Sequence, residues 1–285
     1  MKFLVLGASG MAGHVVSIYL KERGHKVVGF SRRKVGFVES IAGDAKNCEM
    51  VLGIITAGHF DAVVNLVGIL NQSAERKREE AVFLNGYFPH FLAKATEMME
   101  TQIIHISTDC VFSGHTGPYM ENALQDGETF YDRSKAIGEL NDDKNITLRS
   151  SIVGPDINED GIGLLNWFMK QEKVDGYTNA MWTGLTTLQL AKAIEMAAKT
   201  KASGLVNLVY EKNISKFELL NLFNRYICKD KVKIRPYDGF VADKTLIRTN
   251  YEFGYRVPDY ETMVSELAFW MQEHKDLYPH YRFTS

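Results

Sequence analysis

The chain has 285 residues, 45% hydrophobic and 24% charged, enough to bury a large core in one large or two modest domains. A formal net charge of -2 gives no overall electrostatic case for a nucleic-acid polymer or an anionic membrane, and no apolar run approaches membrane-spanning length. Cys48, Cys110 and Cys228 are scattered and odd in number, which argues against a disulfide framework or a zinc site and for a reducing compartment, with the cytoplasm as the expectation.

Phe3, Leu4, Val5 and Leu6 form an apolar run with nothing polar for a wet face, which predicts a strand buried on both sides. Gly7, Gly10 and Gly13 follow as G-x-x-G-x-x-G, and Met11, Val15, Ile18 and Tyr19 recur behind them at helical spacing. Strand, glycine turn and helix in that order make a mononucleotide-binding turn. Glycines let the backbone approach a diphosphate, and the unpaired N–H groups that open the helix present partial positive charge to it. A tight turn could need the same glycines for steric reasons, so the flanking strand and helix carry the reading.

Gly24 caps that helix, and Lys26–Phe30 is the second strand. Ser31, Arg32, Arg33 and Lys34 come next. In a dinucleotide fold an acidic residue here would hold the ribose 2′-hydroxyl of NAD, whereas a basic segment suits the 2′-phosphate of NADPH. NADPH is therefore the expected cofactor, with NADH as the alternative; the competing reading is a solvated loop of cations. A third strand is expected within Phe37–Ala45, a helix over Asn47–Ala57 and a fourth strand over Phe60–Gly68. A long charged helix is expected over residues 72–100. Within it Pro89 has no N–H, so the Asn85 carbonyl four residues back is freed to hold a water, or else Pro89 starts a second helix after a break.

Gln102–Ser107 is a fifth strand running into Thr108, Asp109 and Cys110, polar residues at the end of a parallel strand, where open α/β sheets keep their chemistry. His105 reads as a core histidine. In the helix over Phe130–Glu139, Tyr131 and Lys135 are four apart and share a face. An ammonium near a phenol stabilises phenolate and lowers a reference pKa of about 10 toward neutrality, so the tyrosine can exchange a proton with a substrate oxygen. The same spacing also occurs as a plain surface pair. Asn145–Ser151 is a sixth strand.

Beyond Gly154 the alternation loosens into an aromatic helix over Gly163–Lys170, a loop over Val174–Thr183 containing Trp182, a helix over Leu188–Lys199 and a seventh strand over Leu205–Val209. Helices over Lys216–Cys228 and Tyr260–Glu273 flank a basic stretch, in which Lys244 and Arg248 are either diphosphate contacts or surface cations. The expected architecture is α/β: a Rossmann-type doubly wound parallel sheet with a smaller C-terminal substrate-binding region. Residues 1–150 form the NADP-binding domain, 184–209 return to it, and 151–183 with 210–285 bind substrate.

Five segments together resemble the extended short-chain dehydrogenase/reductases: G-A-S-G-M-A-G at Gly7–Gly13, V-N-L-V-G at Val64–Gly68, S-T-D-C-V-F-S-G at Ser107–Gly114, Y-D-R-S-K at Tyr131–Lys135, and L-R-S-S-I-V-G at Leu148–Gly154. Within them, the S-T-D-x-V-F segment is similar to that of the dTDP-4-dehydrorhamnose reductases. The resemblance implies a triad in which Thr108 holds a substrate carbonyl, Tyr131 gives its proton to the oxygen, and Lys135 tunes Tyr131 and binds the nicotinamide ribose. It implies that Gly7, Ser9, Gly10, Met11, Ala12 and Gly13 meet the diphosphate, and that Ser31, Arg32 and Arg33 meet the 2′-phosphate. Asp44 and Ala45 fall near the adenine, and Leu66, Val67 and Gly68 along the cofactor. The Asn85 carbonyl corresponds to one that holds a relay water.

Asp109 follows Thr108 into the substrate site. Where the family carries a substrate-contacting tryptophan after the sixth strand, this chain has Ile152, and Trp182 is a candidate to replace that contact. The family's magnesium-dependent dimer contacts have no acidic match here, so no metal is expected, while a homodimer is implied. The implied activity is NADPH-dependent reduction of the 4-keto group of a nucleotide-linked 6-deoxy sugar, in surface polysaccharide precursor synthesis. The alternatives are an NAD-dependent sugar-nucleotide epimerase or dehydratase, and a non-catalytic cofactor-binding regulatory subunit. Thr108, Tyr131 and Lys135 together argue against the subunit.

Overall fold

The computed structural model describes residues 1–281. Apolar strands alternate with amphipathic helices: β1 (Lys2–Leu6), α1 (Met11–Glu22), β2 (Lys26–Ser31), β3 (Glu39–Ala42), α2 (Cys48–Gly58) and β4 (Ala62–Asn65). After these come α3 (Asn71–Arg76), α4 (Arg78–Ala81), α5 (Phe88–Ala95), β5 (Gln102–Ser107), α6 (Phe130–Ile137) and β6 (Ile146–Arg149). Together with β10, introduced below, the six strands form one parallel sheet in the order β10-β6-β5-β4-β1-β2-β3. The order reverses between β1 and β4. At such a switch point the connections leave toward opposite faces and a crevice opens at the strands' carboxyl ends.

The later elements are β7 (Ser151–Val153), α7 (Leu164–Phe168), β8 (Lys173–Trp182), β9 (Gly184–Thr186), α8 (Thr187–Thr200), β10 (Gly204–Asn207), β11 (Ile214–Ser215), α9 (Lys216–Phe223), β12 (Lys233–Asp243) and α10 (Tyr260–Glu273). After the excursion to β8 the chain returns through α8, which packs on α1, and β10 extends the main sheet beside β6. A second sheet, β11-β8-β12, stands apart. The main core runs without a break from the strands under α1 and α8 to α9 and α10. No helix among the described residues is long and apolar enough to cross a membrane.

Three expectations are corrected. The segment read as a loop over Val174–Thr183 is most of β8, a strand of ten residues whose inward positions include Val174, Gly176, Ala180 and Trp182. Gly176 disguises it: a Cβ there would lie 2.8 Å from the Phe217 ring of α9, so the strand needs a glycine where two elements approach. The basic stretch likewise holds β12, parallel to β8. Finally, the long helix over 72–100 is broken at Lys77 and continues from Arg78 as α4, a π-turn over Val82–Tyr87, and α5. Pro89 falls inside this run. Having no N–H, it withdraws a donor from the regular ladder, and the Phe88 N–H bonds the Phe83 carbonyl five residues back.

Candidate active site

The glycine turn is built by close packing. A Cβ on Gly13 would lie 2.0 Å from the Gly7 carbonyl oxygen, so α1 can start this near β1 only as glycine. Gly7 has φ +87 and its N–H bonds the Phe30 carbonyl at 2.8 Å, tying the turn to β2. Gly10 caps α1 without a side-chain hydrogen bond, and the first turn holds no acidic residue. The opening N–H groups of a helix have no acceptor within it. The residues present thus fit an anionic diphosphate.

In front of this turn lies a cleft of about 530 Å³. Of the residues assigned to the cofactor from sequence, Gly7, Ser9, Gly10, Ser31, Arg32, Asp44, Ala45, Leu66, Val67 and Gly68 line it. Met11, Ala12 and Gly13 form the first helical turn behind its wall. Arg33 is exposed, as Arg32 is, but is not among the residues that line the cleft, and its carbonyl accepts from Ser31 Oγ at 2.6 Å. Lys46, Lys77 and Glu80 also line the cleft, with Glu80 3.5 Å from Lys46 and 3.7 Å from Lys77. Sequence reasoning missed these three because only the fold brings α4 beside the turn that follows β3.

One strand over, Thr108 follows β5, while Tyr131 and Lys135 lie one turn apart on α6, which a Thr129–Asp132 capping box starts. Thr108 Oγ1 donates to Asp109 at 3.0 Å and accepts from the Cys110 N–H at 3.2 Å. The Tyr131 ring is buried against Ala74 and Ala81. Lys135 Nζ donates to the Ile106 carbonyl at 2.8 Å. Burial pulls this ammonium down to about 8, opposed by Glu139. The expected lowering of the tyrosine is corrected: burial drives the Tyr131 phenol well above its ordinary value, and Cys110 and Asp109 add to that.

Asp109 is buried and its carboxyl is pushed up, with Lys216, Thr108 and Lys244 opposing the shift. Lys216 opens α9, and burial draws it down to about 8 against the pull of Asp109. The sequence marks it only as the residue after a helix cap, so its place at the site went unread. Lys244 stands 4.0 Å from Asp132. Trp182 does not offer a substrate contact: it is buried, Lys216 Nζ covers its ring at 4.9 Å, and Tyr260 packs at 5.8 Å. Ile152 is half-buried on β7, opposite Leu185 of β9.

The Asn85 carbonyl abuts Gly138, where a Cβ would come within 1.9 Å of its oxygen, so it lies against the end of α6. The Asn85 side chain ties the loop after β4 to Ser134 of α6. One more site expectation is corrected. Arg248 is no diphosphate contact. It is buried, and its guanidinium donates to the carbonyls of Asn250, Phe253 and Tyr255, closing the loop that precedes α10. Glu139, just past α6, and Arg149 of β6 form a buried ion pair, and Ser107 Oγ also donates to Glu139.

The reversed parallel sheet, the uncapped glycine turn and the Thr-Tyr-Lys set define a Rossmann-type architecture of the extended short-chain dehydrogenase/reductase class. A family model described as the RmlD substrate binding domain matches residues 1–153, and the chain belongs to that family. The spore coat polysaccharide biosynthesis protein SpsK of Bacillus subtilis is 30% identical over 142 residues, 48% of this chain and 47% of that protein. The chain thus spans about half the length of that relative. The dTDP-4-keto-6-deoxy-D-glucose reductase of Streptomyces niveus is 24% identical over 247 residues, 82% of each. Among solved structures, the dTDP-4-dehydrorhamnose reductase of Bacillus anthracis in complex with NADP shares the fold, with TM-score 0.79 at 18% identity over 94% of this chain and 99% of that one.

Proposed function

We propose that this chain reduces the 4-keto group of a nucleotide-linked 6-deoxy sugar with NADPH, as a step in making surface polysaccharide precursors. The observation that carries the reading is that Thr108 follows β5, Lys135 of α6 is anchored on the Ile106 carbonyl of that strand and Tyr131 stands one turn before Lys135, in the same parallel sheet whose β1 runs into the glycine turn. NADPH, when bound, supplies hydride to the carbonyl carbon. Thr108 holds the carbonyl oxygen. The Tyr131 phenol, kept protonated by burial, gives its proton to that oxygen as negative charge develops there. Lys135, anchored on the Ile106 carbonyl, stabilises the phenolate left behind.

Residues 1–150 with 184–209 hold the cofactor, and 151–183 with 210–285 hold the sugar nucleotide, Lys216 and Lys244 flanking Asp109 on that side. The relatives support the substrate class. One is named as a reductase of a dTDP-linked 4-keto-6-deoxy sugar, another for spore coat polysaccharide biosynthesis, and the Bacillus anthracis structure holds NADP.

The test follows nicotinamide absorbance with NADPH and NADH and a panel of dTDP-, UDP- and GDP-linked 4-keto sugars. One sugar nucleotide is expected to consume NADPH. Tyr131→Phe is expected to cut that turnover by about 100-fold or more while NADPH binding is kept. Binding of both cofactors without consumption of either would move the epimerase or regulatory reading ahead.

A further inference from the structure

His14 lies on the first turn of α1, fully buried between the glycine turn and the segment that follows α10. Both ring nitrogens are engaged: Nδ1 is 3.0 Å from the Gly10 carbonyl and Nε2 is 2.7 Å from the Tyr278 hydroxyl. A carbonyl only accepts, so Nδ1 carries a hydrogen. Burial pushes the imidazole down to about 4, against the Gly10 bond and Asp156 and with His274 adding to the depression, so at neutral pH the ring is neutral and Nε2 accepts from the phenol.

The Gly10 carbonyl receives a second bond, from the His14 N–H at 3.1 Å. In a planar trans peptide the carbonyl and the next N–H point in opposite directions. Two donors hold the Gly10 carbonyl along the helix, so the Met11 N–H points out of the N-terminal end of α1, the end at which Gly10 lines the cleft.

Tyr278 reaches this place because the chain after α10 folds back across α1. Trp270 stacks on His274 at 4.1 Å, and His274 Nε2 bonds Glu22 of α1 at 2.8 Å. Tyr278 stacks on Tyr281 at 5.5 Å, and the Tyr281 hydroxyl accepts from the Asp156 N–H at 2.9 Å. Asn158, two residues on, donates to the Ser9 carbonyl at 3.4 Å. The glycine turn is thus held from behind by residues far along the chain.

We propose that His14 and Tyr278 are positioning residues for the cofactor diphosphate: they lock the Gly10–Met11 peptide so that its N–H is presented to the phosphates before anything binds. The inference rests on the cofactor reading above. It adds that affinity for the diphosphate is set by a residue 264 positions away in sequence from the histidine it steadies.

Tyr278→Phe removes the hydroxyl with little change of shape, and His14→Leu removes the ring donor. NADP⁺ and adenosine 2′-monophosphate, which lacks the diphosphate, are titrated into both variants and the unaltered protein. The dissociation constant for NADP⁺ is expected to rise about tenfold in His14→Leu and about threefold or more in Tyr278→Phe, while that for adenosine 2′-monophosphate stays within about twofold. In the free protein, amide hydrogen exchange at His14 is expected to quicken in Tyr278→Phe while β1 and β5 stay protected. Tyr278→Phe carries the test if His14→Leu fails to fold. NADP⁺ affinity unchanged within about twofold in folded Tyr278→Phe overturns the proposal, as does equal weakening of both ligands. If the unaltered protein binds neither ligand, the cofactor reading fails, and unchanged exchange at His14 separately overturns the lock.

Discussion

The Asn85 carboxamide clasps both backbone groups of Ile69, accepting from its N–H and donating to its carbonyl, each at 2.9 Å. The same amide donates to Ser134 Oγ at 3.0 Å, and Ser134 in turn bonds the Tyr131 carbonyl at 2.9 Å. The loop that walls the cleft and the helix that bears Tyr131 and Lys135 are therefore fastened through one side chain. Asn85→Leu leaves the Ile69 groups unpaired, and urea denaturation is expected to show a loss of about 2–3 kcal/mol. A loss under about 0.5 kcal/mol would mean water replaces the amide.

Gly138 touches the same residue from the other side. A Cβ there would lie 1.9 Å from the Asn85 oxygen and 3.2 Å from Pro89 Cγ, whereas one on Gly53 of α2 would meet nothing within 4 Å. Gly138→Ala is expected to destabilise by about 1–3 kcal/mol through overpacking, and Gly53→Ala to stabilise by up to about 1 kcal/mol through helix propensity. Thermal melts of the two variants side by side check the contrast, and equal melting temperatures would refute it.

The two arginines after β2 are expected to act unequally, because only Arg32 lines the cleft. Under the proposed function, Arg32→Ala weakens NADPH by about tenfold and leaves NADH nearly unchanged, while Arg33→Ala changes either by less than about threefold. Fluorescence titration with both nucleotides distinguishes them. Equal loss of NADPH affinity in both variants would mean that each arginine meets the 2′-phosphate.

Acid stability is expected to depend on buried histidines. His14 is lowered to about 4, and His105 is fully buried and well below its ordinary 6.5, with Lys135 adding to the effect. The folded pKa lies below the unfolded one, so the unfolded chain takes up protons that the folded chain refuses. The stability these groups contribute is complete above 6.5 and is lost as pH falls toward the folded values. Each histidine adds a slope of up to about 1.4 kcal/mol per pH unit across that window. Denaturant midpoints measured between neutrality and mild acid are expected to fall less steeply for His105→Asn than for the unaltered protein. Parallel slopes would show that His105 titrates alike in both states.

Strong local signals made the main sheet and the triad legible. β1, β2, β4, β5 and β6 are buried almost throughout and read as short, mainly apolar runs, glycines mark the turn into α1, and Tyr131 and Lys135 share a helix face by spacing alone. β8 and β12 were hidden because glycine, proline and asparagine interrupt their alternation, and their strand character comes from pairing with each other and packing under α9.

What the sequence by itself determined is the sheet, its order of elements and the residue types at the end of each strand, since these follow from local hydrophobic period and turn chemistry. Only the tertiary structure decided where the cations and hydroxyls are spent. Arg248 gives its donors to nearby carbonyls, Lys216 lies over the Trp182 ring and feels the Asp109 carboxyl, and Tyr278 reaches His14. Composition cannot tell such side chains apart, because whether a charge or hydroxyl faces a cleft or its own backbone depends on contacts between residues remote in the chain.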